Sequence, residues 1–539
     1  MKNVRIRVKD GGYDIYSPRE GQTWGYRYGP SIITYGDKRA DAWFASPGDA
    51  LTEADWFTYR HTEDGGKTWT EEKVVLAPTA DSMDFFSVCD PAMIRFGGWY
   101  YMGYTSTIFP ERGGICNNGF VARSKTPTGP FEKWTGDGWG EVRETGNGTC
   151  RWVGKPAPII YFDEDKEHWG AGEFSFTVVD DVLYIYYTWT SKDALGKLYS
   201  QTRVATADTT DENWPLTMVD RGVAAERLSA QDSFDVVYCE EYKKFIAIST
   251  YKRFSEESVL MFFESDDGIN FYRACDLKES IGVCCHNSGI SGDELHHIKK
   301  GDLLILGYAY GNKWGYWGTR FHEYTFEEYD GVYSEEDKEN VKRPVIPTPR
   351  ENMHSIYITS IPHFYRLKEG EFTDINIVSL DSTYTKTHVD NGDIEFSNYD
   401  SDIISIENGR IFALKVGYTF VNASAEGCNT EFAVYVYPKE ARIGCEEREP
   451  VSFDPTLDTY TLSIAAREKK QVRFIVTYDN GTWGEMFGTD ANISYSGYDT
   501  ELISVDERGC ITNKGKTGRT KINAALGEFC LTVDVEITE

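Results

Sequence analysis

The chain has 539 residues, 86 of them acidic against 56 Lys and Arg, for a formal charge of −30, and 14% of it is aromatic. Such a length holds two to four domains, and an acidic balance without a basic cluster excludes nucleic acid and anionic membrane surfaces as partners. No run of 18 apolar residues is present, which excludes a membrane-spanning helix and predicts no membrane insertion.

Residues 1–10 alternate charged and β-branched side chains and lack the apolar core of a signal peptide. This predicts a cytoplasmic protein, or a secreted or cell-surface one whose signal has been removed. From there to about residue 325 one unit recurs five times: a turn, a short apolar strand, a Gly or Asp turn, then an aromatic strand. The units open at Gly29-Pro30-Ser31-Ile32-Ile33, Asp90-Pro91-Ala92-Met93-Ile94, Glu173-Phe174-Ser175-Phe176-Thr177, Asp235-Val236-Val237-Tyr238 and Gly289-Ile290-Ser291-Gly292-Asp293. Strand-type segments repeating at roughly sixty residues without helical periodicity predict an all-β fold, a five-bladed β-propeller whose first strands line a central funnel. Residues opening the units then converge on one spot.

Residues 62–69, TEDGGKTW, fit the Asp-box pattern S/T-x-D-x-G-x-T-W, in which Asp and Gly hold a hairpin turn and Trp plugs the blade edge. SDDGINF at 265–271 is a shorter relative. Eleven cysteines without regular spacing or a CxxC pair read as reduced thiols. After residue 326 an acidic and then proline-marked stretch ends the repeats, and 355–361 reads as a last strand or cover of the propeller. The boundary is therefore expected near 370, giving a propeller over 1–370. Beyond it, DIISIENGRI at 402–411 recurs as ELISVDERGCI at 501–511, each followed by a Gly-Tyr-Thr or Lys-Thr-Gly turn. This predicts two modules, 371–437 and 438–539.

The pattern I-I-S-I-x-N-G-x-I resembles bacterial Ig-like modules of group 2, which implies small β-sandwiches without chemistry. CDPAMIRFGGWYYMGYTS, ARSKTPTGPF, GAGEFSFTVVDDVLYIYYTW and SDDGINF together resemble the five-bladed glycosidases of glycoside hydrolase families 43, 32 and 117 over roughly residues 20–325. YRYGPSI followed by the Asp box is similar to the start of sialidases. The resemblance implies a glycoside hydrolase with a carbohydrate substrate and acid–base carboxylates in the funnel.

In the family 43 pattern a blade-one Asp is the base, a blade-two Asp tunes and orients the acid, and a blade-three Glu is the acid. Asp90 matches the second and Glu173 the third, while Gly29 stands where the first is expected. Asp235 or Asp90 then takes over as base, or the reaction differs; Asp232 competes with Asp235. His286 and Asn287, read as lying just before the fifth inner strand, complete the ring. His286 reads three ways: ligand of a cation, acid as in family 117, or hydrogen-bond partner. Arg27 is a candidate clamp for a substrate carboxylate. Trp169, Tyr308 and Trp314, with Tyr310 and Trp317, are candidate walls of a sugar subsite. No cofactor is required, with a structural Ca²⁺ in the funnel left open. The alternatives are a metal-dependent amino-sugar deacetylase, where Cys89-Asp90 matches a dipeptide of that enzyme but Ser87 replaces its His, a sialidase-like enzyme, and a non-catalytic glycan-binding propeller.

Overall fold

The computed structural model describes the chain apart from residue 1 and residues 10–11, 17–25, 47–54, 80–83, 85–86, 109–115, 145–149, 154–155, 163–168, 194, 312–316, 331–356, 361–363, 381–385, 426, 441–449, 456, 466–468, 479–482, 488–492 and 508. The aromatic and β-branched repeats form five sheets, each built on four antiparallel strands, with one further short strand added to the fourth and to the fifth. Their inner strands are Tyr28–Tyr35, Cys89–Phe96, Gly170–Val179, Asp232–Cys239 and Cys285–Ile290. Each inner strand packs on the next, and the fifth packs on the first, so the sheets close into a five-bladed propeller. The last blade is completed from the other end of the chain: Lys2–Val8 is its outer strand, pairing with Gly318–Asp330 from Lys2 opposite Asp330 to Val8 opposite Tyr324.

Five apolar clusters fill the five interfaces between blades. Alternate residues of one strand serve opposite interfaces: Ile33, Trp43 and Ala45 face blade two, and Ile32, Ala42 and Phe44 face blade five. Both faces of each blade are therefore buried, which explains the high aromatic content. Burying one such aromatic contributes about 1.5–3 kcal/mol. In the hairpin of blade one, Asp64 accepts from the Lys67 and Thr68 amides and from both neighbouring threonine hydroxyls, while Trp69 is fully buried.

An inner strand is an edge strand, and its free amides need acceptors. Side chains of the preceding blade supply them. Ser31 accepts from Met93 N–H, Thr105 from Glu173 N–H, Ser175 from Val236 N–H and Ser233 from Ser288 N–H, all at 2.8–3.0 Å. At the opposite end of the channel, the segment after the fifth inner strand crosses beneath the ring. The carbonyls of Gly292, Glu294, Leu295 and His296 accept in turn from Thr34, Arg95, Val178 and Tyr238, one residue of each other blade. The funnel is thereby floored.

Two smaller all-β units follow with one topology. In the first, Tyr357–Ser360 pairs with Ile377–Leu380, and Phe364–Lys368 runs parallel to Cys428–Tyr437. In the second, Pro450–Pro455 pairs with Arg473–Tyr478, and Thr459–Ser463 runs parallel to Phe529–Thr538. Each has its own core. The strand read at 355–361 as a cover of the propeller thus belongs to the first module, so the boundary expected at 370 falls too late. Alternating apolar residues carry no mark of which sheet they join. Among the described residues, no helix is long and apolar enough to cross a membrane.

Candidate active site

Every inner strand is interrupted near its start by a bulge, where the register with its neighbour slips. At each slip one residue has left-handed backbone: Gly29 (φ 60°), Asp90 (54°), Glu173 (49°), Ser233 (51°) and Asn287 (39°). A bulge bends the strand and re-aims a side chain, and here the fivefold repeat brings all five residues to one funnel. They line a concavity of about 360 Å³ together with Pro30, Pro91, Phe174 and Asp235. Glycine takes this conformation freely and Asn and Asp tolerate it, whereas at Glu173 and Ser233 it costs about 1–3 kcal/mol. Blade one therefore contributes space, with the Gly29 backbone against Pro91 and Asp90.

Asp90 and Glu173 meet through Thr105. The Thr105 hydroxyl receives Glu173 N–H at 2.8 Å and acts on the Asp90 carboxyl in the direction that favours its charge. A side chain at Gly172 would collide with this hydroxyl, its Cβ falling 2.4 Å from Oγ1, so the glycine permits the junction. Burial, and then the negative charge of Glu173, push the Asp90 pKa well up, and Asp55 adds to this. For Glu173, burial also acts upward, but the Arg227 guanidinium, the Thr188 hydroxyl and Arg253 outweigh it and hold the carboxyl below its ordinary value. Its Oε2 accepts from Thr188 at 2.6 Å, Arg227 at 3.0 Å and Ser233 N–H at 3.3 Å, while Oε1 meets, among the described residues, only the Asn287 side-chain amide at 3.5 Å. Oε1 is the oxygen left for a ligand.

Asp235 lies in the same wall but one level deeper. The residue of blade four equivalent to Asp90 and Glu173 is Ser233. Both Asp235 oxygens are engaged, one by the Ser175 hydroxyl and one by Ile290 N–H, each at 2.8 Å, so it joins blades. Asp232 takes the place closer to Glu173. It is 1% exposed, its Oδ1 accepts from Asn287 N–H, and its Oδ2 lies 3.6 Å from Arg253. Burial raises its pKa to about 7 against the pull of Arg253.

His286 and Asn287 are within the fifth inner strand rather than before it. The His286 ring is walled by Trp317, Phe254 and Tyr28, at centroid distances of 4.3, 4.7 and 6.2 Å. Burial, and then Arg253, depress its pKa well below normal, which keeps it neutral. An aromatic wall without carboxylates does not fit a Ca²⁺ ligand set, and among the described residues no three His, Cys, Asp or Glu side chains are grouped to hold a metal ion. Trp169 lies at the mouth, under the Arg253 guanidinium at 5.3 Å.

Three expectations fail on packing. Arg27 is buried and forked onto Glu72, so it is no substrate clamp. Tyr308 is fully buried in the interface of blades four and five, with its hydroxyl bonded to Gly282 N–H and His322. Tyr310 bonds Asp14. Trp314 lies outside the described residues. Sequence reasoning misses Arg227, Arg253, Thr105 and Thr188. The two arginines arrive from connections flanking blade-four strands, and nothing in their local sequence marks them.

No family model matches the chain, and comparison with curated proteins gives no match. Several solved structures are similar to about three fifths of it. A family 117 glycoside hydrolase of the marine bacterium Zobellia galactanivorans is 14% identical, covering 60% of this chain and 90% of its own, with a TM-score of 0.40. A thermostable family 43 glycoside hydrolase is 14% identical, covering 62% and 100%, at 0.36. An α-L-arabinofuranosidase from Lactobacillus brevis is 11% identical, covering 60% and 96%, at 0.38.

Proposed function

We propose that the protein is a glycoside hydrolase that cleaves a glycosidic bond in its propeller funnel, with Asp90 as proton donor and Glu173 as the ionised partner. The observation that carries this reading is the opposite tuning of two carboxyl groups in one funnel, the Asp90 pKa pushed up by burial and by Glu173, and the Glu173 pKa held down by Arg227, Thr188 and Arg253. Glycoside hydrolysis requires such a pair: an acid to protonate the leaving oxygen and a carboxylate to attack or to activate water. The roles are reversed relative to the pattern in which the blade-three Glu is the acid, because Arg227 neutralises Glu173 and none of the described basic groups does so for Asp90.

In this reading Thr105 orients the donor, and Arg227, Thr188 and Ser233 N–H fix Oε2 so that Oε1 faces the sugar. Asn287 and Ser233 reach hydroxyl groups, and the floored channel makes substrate enter and product leave at one mouth. A second reading, a glycan-binding propeller without turnover, is favoured by Gly29 in place of a blade-one carboxylate. The deciding experiment is turnover of a panel of aryl glycosides and natural oligosaccharides by the wild type, Asp90→Asn and Glu173→Gln. Loss of cleavage in both variants supports the hydrolase. Binding without any cleavage by the wild type supports the second reading.

A further inference from the structure

Blades four and five carry buried polar atoms beside Arg253 that form no hydrogen bond. Asp232 Oδ2, 3.6 Å from Arg253, and both ring nitrogens of His286, whose ring packs on the neighbouring Phe254, are buried without a hydrogen-bond partner among the described residues. Both side chains belong to residues only 1% exposed. An unsatisfied buried polar group costs about 1–3 kcal/mol, so each such atom calls for an explanation.

Arg253 stands over them. Its side chain is about a quarter exposed, it lies on the faces of Trp169 and Phe254 at 5.3 and 5.1 Å, and its nearest anion among the described residues is Asp232 at 3.6 Å, beyond hydrogen-bond range. Arg227, by contrast, is spent on Glu173, Thr188 and the Gln231 carbonyl. Lys252 and Phe254, on either side of Arg253, both have left-handed backbone, at φ 53° and 63°. For a bulky residue such as Phe this is a true outlier, so the loop holds Arg253 outward at a cost. The charges agree. Glu173 pairs with Arg227, and the pKa values of Asp90 and Asp232 are raised, the latter to about 7, so the carboxyl groups near Arg253 offer it less negative charge than their number suggests, in a chain of net charge −30.

We infer that the funnel takes a sugar bearing an anionic substituent, a carboxylate or a sulfate ester, bound by the Arg253 guanidinium on the Trp169 platform, with His286 and Asp232 meeting neighbouring hydroxyl groups. Guanidinium donors fork onto either anion with charge-assisted hydrogen bonds, and a neutral imidazole gives one donor and one acceptor to a diol. The inference rests on the funnel being the carbohydrate site of the proposed hydrolase.

The test is calorimetric binding to the full-length protein at fixed ionic strength, in the wild type, Arg253→Gln and Arg253→Lys. The probes are galacturonate, glucuronate, galactose 6-sulfate, galactose and glucose. At least one anionic sugar binds about tenfold or more tighter than its neutral parent, Arg253→Gln removes that preference, and Arg253→Lys keeps part of it. A tighter uronate assigns the carboxylate, and a tighter galactose 6-sulfate assigns the sulfate ester. Equal binding of neutral and anionic probes, failure of every anionic probe to bind, or a preference that survives in Arg253→Gln with unchanged melting overturns the inference. Because binding needs no turnover, an anionic preference without cleavage fails the hydrolase and keeps this site. Cleavage of neutral glycosides with no anionic preference does the reverse.

Discussion

Left-handed backbone outside glycine falls differently in the two parts of the molecule. In the propeller it occurs inside strands, at Asp90, Glu173, Ser233 and Asn287, all facing the funnel, as well as at turns. In the C-terminal modules the described non-glycine cases are Asn398 and Asn408, a residue type that tolerates it, and the other positive-φ positions are glycines. The modules use this conformation to turn the chain, and the propeller uses it to aim side chains. Left-handed backbone retained inside a strand, at a cost for Glu173 and Ser233 that glycine would relieve, is a physical reason to read the bulge positions as functional.

The largest effect expected from that difference is on catalysis. Asp90→Asn and Glu173→Gln each lower kcat/KM by about 10²–10⁴-fold on any substrate the wild type cleaves; wild-type rates in either variant remove that residue from the mechanism. Stability then separates the two. Glu173→Gln leaves the buried Arg227 charge without its partner and costs about 2–3 kcal/mol in denaturant unfolding. Asp90→Asn replaces a carboxyl whose charge burial and Glu173 already disfavour, and leaves the midpoint nearly unchanged. Equal costs would contradict the opposite tuning.

The pH dependence has two signs. Asp232, with its pKa raised to about 7, gives stability that is complete below its unfolded value of about 3.9 and is lost as pH rises towards 7. Asp232→Asn therefore flattens the fall of melting temperature between about pH 4 and 7. Glu173, with its pKa lowered, gives stability present above its unfolded value of about 4.3 and lost as pH falls below it, and Glu173→Gln removes this acid-side loss. The smallest effect concerns strain that has no task. Ala230→Gly, at φ 60° on an exposed turn, raises stability by about 0.5–1 kcal/mol, whereas Asn408→Gly changes it by about zero.

Much of this was legible in the chain. The five repeats carry the fold because each blade buries both faces, so every strand is marked by aromatic and β-branched residues. Asp90 and Glu173 stand out because a carboxylate directly precedes an apolar run. The same rule misplaces the blade-four position. Asp232 and Asp235 flank the bulge, and a strand that slips register by one residue reads as a strand beginning late, so Ser233 escapes notice. Arg27 carries a sialidase-like context, yet Glu72, distant in sequence, takes its guanidinium. Arg227 and Arg253, which set the electrostatics of the site, are ordinary loop arginines until the fold brings them to Glu173 and Asp232. Charge partners come from tertiary contact, which residue patterning does not encode.

The outer strand of blade five is the N-terminal segment, and its Val4 N–H is further fastened at 2.7 Å to the buried Glu264 carboxylate of blade four. Its order of appearance during synthesis therefore matters. Lys2–Val8 leaves the ribosome well ahead of its partner Gly318–Asp330, which is made more than 300 residues later. At 5–20 residues per second, this strand waits about 15–65 s as an unpaired, half-apolar edge. Ring closure is a contact of very long sequence separation, the slow kind. A nascent chain stalled before residue 318 holds four blades without a latch, so a strand made before all five blades is among the last to find its place.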